Sequence, residues 1–180
     1  GQKGVETLSR LSASGVCVSV LTNSLAATDV AAVHAGYARY RRPLLLNGVK
    51  IHELRSLADQ HNSLSLRGSG QASLHTKAFT RDGETGFIGS LNFDPRSMSL
   101  NTEMGVLFNS PELASAMDDI FKQETSREMS FELALNPKRR LIWTGLVKGR
   151  PRLYGNEPYA SLSRRGIALI MGILPLESQL

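Results

Sequence analysis

The segment from Leu74 to Asn92 constrains the local fold more tightly than any other part of this 180-residue chain. From Leu74 to Thr80 the residues divide by a period of two. His75, Lys77 and Phe79 fall on one face, and Leu74, Thr76, Ala78 and Thr80 on the other. On a strand, that spacing points His75 and Lys77 the same way. Arg81-Asp82-Gly83-Glu84-Thr85 is turn chemistry, so the chain is predicted to reverse there. Gly86-Phe87-Ile88-Gly89 reads as the returning strand. A hairpin of this kind delivers Ser90 and Asn92 beside the start of the first strand. Gly89, lacking a Cβ, would let the backbone approach a bound phosphate closely.

The residues gathered at that end suit a phosphodiester. An imidazole titrates near pH 6.5, so His75 can attack, accept or give a proton near neutrality. Lys77 supplies a point charge for a phosphoryl oxygen, and Ser90 and Asn92 can donate to charge that develops there. Asp82 adds a carboxylate, or else shapes the turn as an Asx cap. Glu103, opening a strand from Thr102 to Phe108, is placed to orient a histidine as the third member of a triad would. Any one of these residues alone reads as ordinary surface or turn; their joint spacing is what points to a site.

That spacing, His-x-Lys, four residues, Asp, six residues, Gly-Ser-x-Asn, resembles the HKD signature of the phospholipase D superfamily. The continuations Asn92-Phe93-Asp94-Pro95-Arg96-Ser97 and Leu100-Asn101-Thr102-Glu103 look like that family too. Leu21 to Val30, His34 to Arg41, and the tail from Glu157 through Arg164-Arg165 to Glu177 resemble the bacterial cardiolipin synthases of the C type. The resemblance covers nearly the whole chain, as the carboxy-terminal half of a two-motif enzyme. It implies an α/β sandwich, a mixed β-sheet flanked by helices, carrying one HKD half. It also implies catalytic roles for His75, Lys77, Asp82 and Glu103 and substrate contacts for Ser90 and Asn92, with no cofactor. In the family one HKD histidine forms a covalent phosphohistidine and the other protonates the leaving alcohol. The implied reaction is phosphatidyl transfer from a phosphatidylglycerol-like anionic phospholipid, at the cytoplasmic face of a bacterial membrane.

The motif occurs once. His34, His52 and His61 are not followed two residues later by Lys. The second half-site is therefore expected from a missing amino-terminal HKD half or from a second copy of the chain. A homodimeric phosphodiesterase or nuclease, and a catalytically silent lipid-binding fragment, are the alternative readings.

Residues 1–150 read as the catalytic half-domain and 151–180 as a basic, apolar tail. Of the net charge of +5, the excess lies late: eight Lys or Arg stand against Glu157 and Glu177 from Lys138 onward, and thirteen basic against fourteen acidic residues precede it. Ile167 to Leu174 is apolar but far short of the roughly 20 residues that span a bilayer. It either docks on an anionic membrane surface or packs as a last helix with Arg164 and Arg165 solvated. A basic surface also attracts nucleic acid, but no aromatic stacking platform accompanies it. Scattered histidines and a lone cysteine argue against zinc. Cys17, in the run Val16 to Leu21, reads as a buried strand residue of a protein from a reducing compartment.

The remaining pattern predicts helices at 4–13, 31–46 and 111–124, the last opened by Pro111. Strands are predicted at 16–22 and 49–54, with a Ser- and Gly-rich loop at 55–73. A closing hairpin at 131–135 and 140–144 turns at Asn136-Pro137. Alternating elements of this kind give a sheet covered by helices. Arg39, Arg41 and Arg42, near Tyr37 and Tyr40, line either a phosphate entrance or an exposed helix face. Asn23, Thr28 and Asp29 occupy a polar loop after a strand, where binding residues often lie.

Overall fold

The computed structural model describes residues 1–28, 31–56, 74–90 and 102–173. Asp29, His61, the segment 91–101 with Asn92 and Asn101, most of the Ser- and Gly-rich loop, and 174–180 lie outside the described residues. The described elements run α1 (Gln2–Ala13), β1 (Ser19–Asn23), α2 (Ala31–Ala38), α3 (Arg41–Leu46) and β2 (Lys50–Leu54). They continue with β3 (Lys77–Arg81), β4 (Thr85–Gly89), β5 (Gly105–Asn109), α4 (Pro111–Glu124), β6 (Ser130–Leu135), β7 (Leu141–Val147), β8 (Arg150–Tyr154) and α5 (Leu162–Ile173).

The strands form a five-stranded sheet, β1-β2-β6-β7-β8, and a three-stranded sheet, β3-β4-β5. β1 and β2 are parallel, and every other described pairing is antiparallel. The larger sheet is therefore mixed. Its register puts Val20, Ile51, Phe131, Leu133 and Trp143 on one face, packed with Leu44 and Val49 and with Val5 and Leu8 of α1. The other face is more polar, with His52 paired to Glu132 and Glu132 to Thr144.

The predicted single helix over 31–46 is two helices, and Pro43 explains the break. Deep inside one helix its ring would clash with the carbonyl four residues back, at Arg39. Restarting at Arg41 places Pro43 in a first turn, where a missing N–H is tolerated. Cys17 is exposed and precedes β1, contrary to its expected burial. Alternation is the reason: Val18 and Val20 take the core face, which sends Cys17 and Ser19 to the polar one.

Arg41 departs from expectation most. Its side chain is 2% exposed, and it belongs neither to an entrance nor to a solvated face. Its guanidinium meets Glu53 at 3.5 Å and Glu157 at 2.7 Å, and Nη2 lies 2.9 Å from Nε2 of His34. Glu53 also accepts from Trp143 Nε1 at 2.8 Å and from the Tyr37 hydroxyl at 3.2 Å. Burial pushes the Glu53 carboxyl above its ordinary value although Arg41 pulls the other way. Burial also pushes Glu157 up, but His34 and Arg41 outweigh it and hold that carboxyl below the usual range. The cluster joins α2, α3 and β2 to the segment after β8.

That segment contributes structure as well as charge. β8 pairs with β7, an element the sequence pattern did not single out. α5 packs on α2. Arg164 and Arg165 are not merely solvated. Arg164 donates to the carbonyls of Leu25 and Thr28 at 3.0 and 2.7 Å, and Arg165 to that of Glu157 at 2.6 Å. Leu162, Ile167, Leu169 and Ile170 remain exposed.

Candidate active site

The hairpin that carries the site is β3 and β4, in register from Lys77 opposite Gly89 to Arg81 opposite Thr85. It closes through Asp82 and Gly83, whose φ angles of +56° and +67° lie in the left-handed region that Asp and Gly tolerate. Ser110 caps α4 by accepting from Leu113 N, with Pro111 in the first turn. α4 is tied to the hairpin by Thr80, whose hydroxyl donates to Asp118 at 2.5 Å. β5 completes the sheet beside β4.

Glycine at 89 has a packing reason. A Cβ there would come within 2.6 Å of both the Phe87 ring and the Met104 carbonyl. Phe87 instead lies against Gly89 and, across the strand pair, Gly105.

His75, Lys77, Ser90 and Glu103 stand at the open end of this sheet. His75 is exposed just before β3, and Lys77 begins it and donates to the His75 carbonyl at 2.7 Å. Ser90 follows β4 and continues its pairing, donating N–H to the Met104 carbonyl at 2.8 Å. Its hydroxyl donates to Glu103 Oε2 at 2.5 Å and accepts from Met104 N at 3.0 Å. The carboxylate expected to orient a histidine thus accepts from Ser90. Asp82 does not join the group. It lies at the closed end, roughly 16 Å of strand from Lys77, with its side chain 80% exposed and 3.7 Å from Arg81. Asn92 is outside the described residues.

One contributor lies outside the motif, at a position whose sequence pattern suggests only a polar loop. Asn23, at the end of β1, donates to the Leu74 carbonyl at 2.9 Å and accepts from Leu74 N at 2.8 Å. Its amide supplies both halves of a backbone-like pairing, so it ties the large sheet to the residue immediately before His75. An Asn at a strand end beside a motif strand is the only sequence signal for this, and it is weak. Asn23→Ala leaves two partly buried backbone groups unmatched, at about 1–3 kcal/mol. In a protein carrying both motifs, turnover should fall about tenfold while far-ultraviolet circular dichroism stays native. Unchanged turnover would remove Asn23 from the positioning of His75.

Among the described residues no group of His, Cys, Asp and Glu is arranged to hold a metal ion. An imidazole, an ammonium and a hydroxyl are groups of the kind that can act on a phosphoryl group.

Comparison with known proteins gives the family. Residues 1–125 match the family described as cardiolipin synthase, PLD-like domain. The chain is 43% identical over 177 residues to cardiolipin synthase C of Escherichia coli K12, covering 97% of this chain and 37% of that protein. It is 32% identical over 176 residues to an uncharacterized protein of Helicobacter pylori J99, covering 97% of this chain and 34% of the other. The chain thus spans about a third of the length of these curated relatives. No solved structure matches it significantly. A one-motif hairpin within a mixed α/β fold, matched over these residues, makes the chain a member of the PLD-like domain family of cardiolipin synthases.

Proposed function

We propose that this chain is the carboxy-terminal catalytic half of a phosphatidyltransferase that makes cardiolipin. What supports the reading is the strand register, which sets His75 and Lys77 at the same open end of the sheet as the Ser90–Glu103 pair. The donor is a phosphatidylglycerol-like lipid. One histidine nitrogen attacks phosphorus, an N–P bond forms, the P–O bond breaks, and the leaving alcohol takes a proton from the opposing histidine. The acceptor hydroxyl then returns its proton to that histidine as its oxygen displaces the nitrogen from phosphorus. Lys77 and Ser90 stabilise oxygen charge, and Glu103 fixes the Ser90 hydroxyl. Asn92 completes the substrate contacts. The opposing histidine comes from an amino-terminal HKD half, in keeping with the much greater length of the relatives.

In this reading Asp82 shapes the turn and touches no substrate. Asp82→Asn, which also tolerates a left-handed φ, should keep transfer within about threefold. A loss of a hundredfold would restore Asp82 to the catalytic group.

The protein works as a peripheral enzyme of the bacterial cytoplasmic membrane, on its cytoplasmic side. No described helix is long and apolar enough to cross a membrane. α5, however, turns Leu162 (84% exposed) and Leu169 (69% exposed) outward on one stripe with Ile170. Burying one leucine is worth about 1.5–3 kcal/mol. Leu162→Asp and Leu169→Asp should therefore each weaken cosedimentation with anionic vesicles roughly tenfold or more, with the melting temperature unchanged. Equal cosedimentation by both variants and the parent chain would separate α5 from the membrane.

Product analysis tests the reaction itself. A protein holding both motifs, given phosphatidylglycerol, should yield cardiolipin and glycerol in equal amounts. Phosphatidic acid as the main product would make it a hydrolase, and cleavage of a generic phosphodiester by the isolated chain would favour the homodimer.

A further inference from the structure

A second polar groove opens on the face of the large sheet opposite the core. It is a shallow, open concavity of about 400 Å³ bordered by Cys17, Lys50, His52, Ser126, Arg127 and Glu132. It lies at the start of β1, whereas Asn23, which holds the HKD strand, is at the other end of β1. Several of its polar groups have no employment in the fold. Lys50 is exposed, and among the described residues its ammonium, the Ser126 hydroxyl and the Cys17 thiol meet no side-chain partner. Arg127 meets Glu132 only at 3.5 Å. His52 Nδ1 is buried and has no hydrogen-bond partner among the described residues, which leaves Nε2 as the ring nitrogen able to meet a groove occupant. Burial holds this imidazole below its ordinary value, with Glu132 opposing and Lys50 reinforcing the effect.

We propose that this groove binds a small phosphorylated polyol, the phosphate lying between Lys50 and Arg127 and a polyol hydroxyl donating to Glu132. Two cations, an imidazole and a hydroxyl supply more donor capacity than the single carboxylate consumes, so an oxyanion is the ligand that satisfies them. The volume exceeds what a bare phosphate fills and falls in the range of small-ligand sites. Glu132, an acceptor only, suits the hydroxylated remainder. The shared chemistry is a glycerol phosphate, either free or as the headgroup of a lipid. The HKD residues take no part in this site.

Cys17 is the only cysteine of the chain and borders the groove, so its alkylation by a maleimide reports occupancy. Rates are measured with glycerol phosphate, with glycerol and sodium chloride at matched ionic strength, and with phosphatidylglycerol vesicles. At ten times its dissociation constant the ligand should slow labelling about tenfold. The controls should leave the rate unchanged. Lys50→Ala and Arg127→Ala should each abolish the protection while the unprotected rate persists. Protection by glycerol phosphate indicates a free ligand, and protection by vesicles alone, lost in Lys50→Ala, indicates a lipid headgroup. Equal rates in all arms, or protection that survives both substitutions, would overturn the proposal.

Discussion

In a protein that carries both motifs, His75→Ala is expected to lower phosphatidyl transfer by at least about a thousandfold. A positioned acid or base contributes roughly 10²–10⁴ in rate. Losing a nucleophile removes the covalent route altogether. Either role for His75 therefore gives a large effect. The fold should not change, because His75 is exposed and precedes β3 rather than packing in it. Native circular dichroism with transfer reduced less than about tenfold would show that the imidazole is not at the reacting phosphorus.

Arg41→Ala should have the largest effect on stability. It leaves Glu53, fully buried and 0% exposed, facing the interior without its cation. Removing one partner of a buried pair typically costs about 3–5 kcal/mol, against a total of about 5–15 kcal/mol for a domain. Urea unfolding measures it. Arg41→Lys keeps the charge but not the planar fork that reaches Glu157 and Glu53 together, so an intermediate loss is expected.

The deficit also has a pH signature. Glu53 is already raised above its ordinary value by burial. A raised carboxyl contributes stability below its unfolded value, near 4.3, and loses it as pH rises through the folded value. Without Arg41 that folded value rises further, so the deficit should grow from pH 5 to pH 8, which are about the limits of the useful range. Glu157 has the opposite sign: held low, it contributes above its unfolded value and loses that contribution as pH falls. A deficit already complete at pH 5 and flat to pH 8 would assign the effect to Glu157 instead of Glu53.

The parts of the fold that were legible in the sequence are those fixed by local chemistry. The Asp82-Gly83 turn set the β3–β4 hairpin, and Ser110-Pro111 set the start of α4. What escaped depends on partners distant in sequence. Arg41 looks like a surface arginine until Glu53 and Glu157, 116 residues beyond it, are brought to its guanidinium. Arg164 is likewise consumed by carbonyls that its neighbours in sequence do not reveal. The break at Arg39–Tyr40 was readable from Pro43, but helical periodicity on both sides concealed it. At the candidate site, the order of His75, Lys77 and Ser90 carries the expectation of phosphodiester chemistry. The pairing of Ser90 with Glu103 needed the register of β4 against β5, which sequence spacing leaves free.

The central claim is that this chain supplies one side of a two-sided site. Labelled phosphatidylglycerol tests it most directly, given in parallel to the 180-residue chain, to the same chain joined to an amino-terminal HKD half, and to the joined protein with His75→Ala. Labelled cardiolipin is expected from the joined protein alone. Cardiolipin formed by the isolated chain, or undiminished in the His75→Ala protein, would contradict the claim.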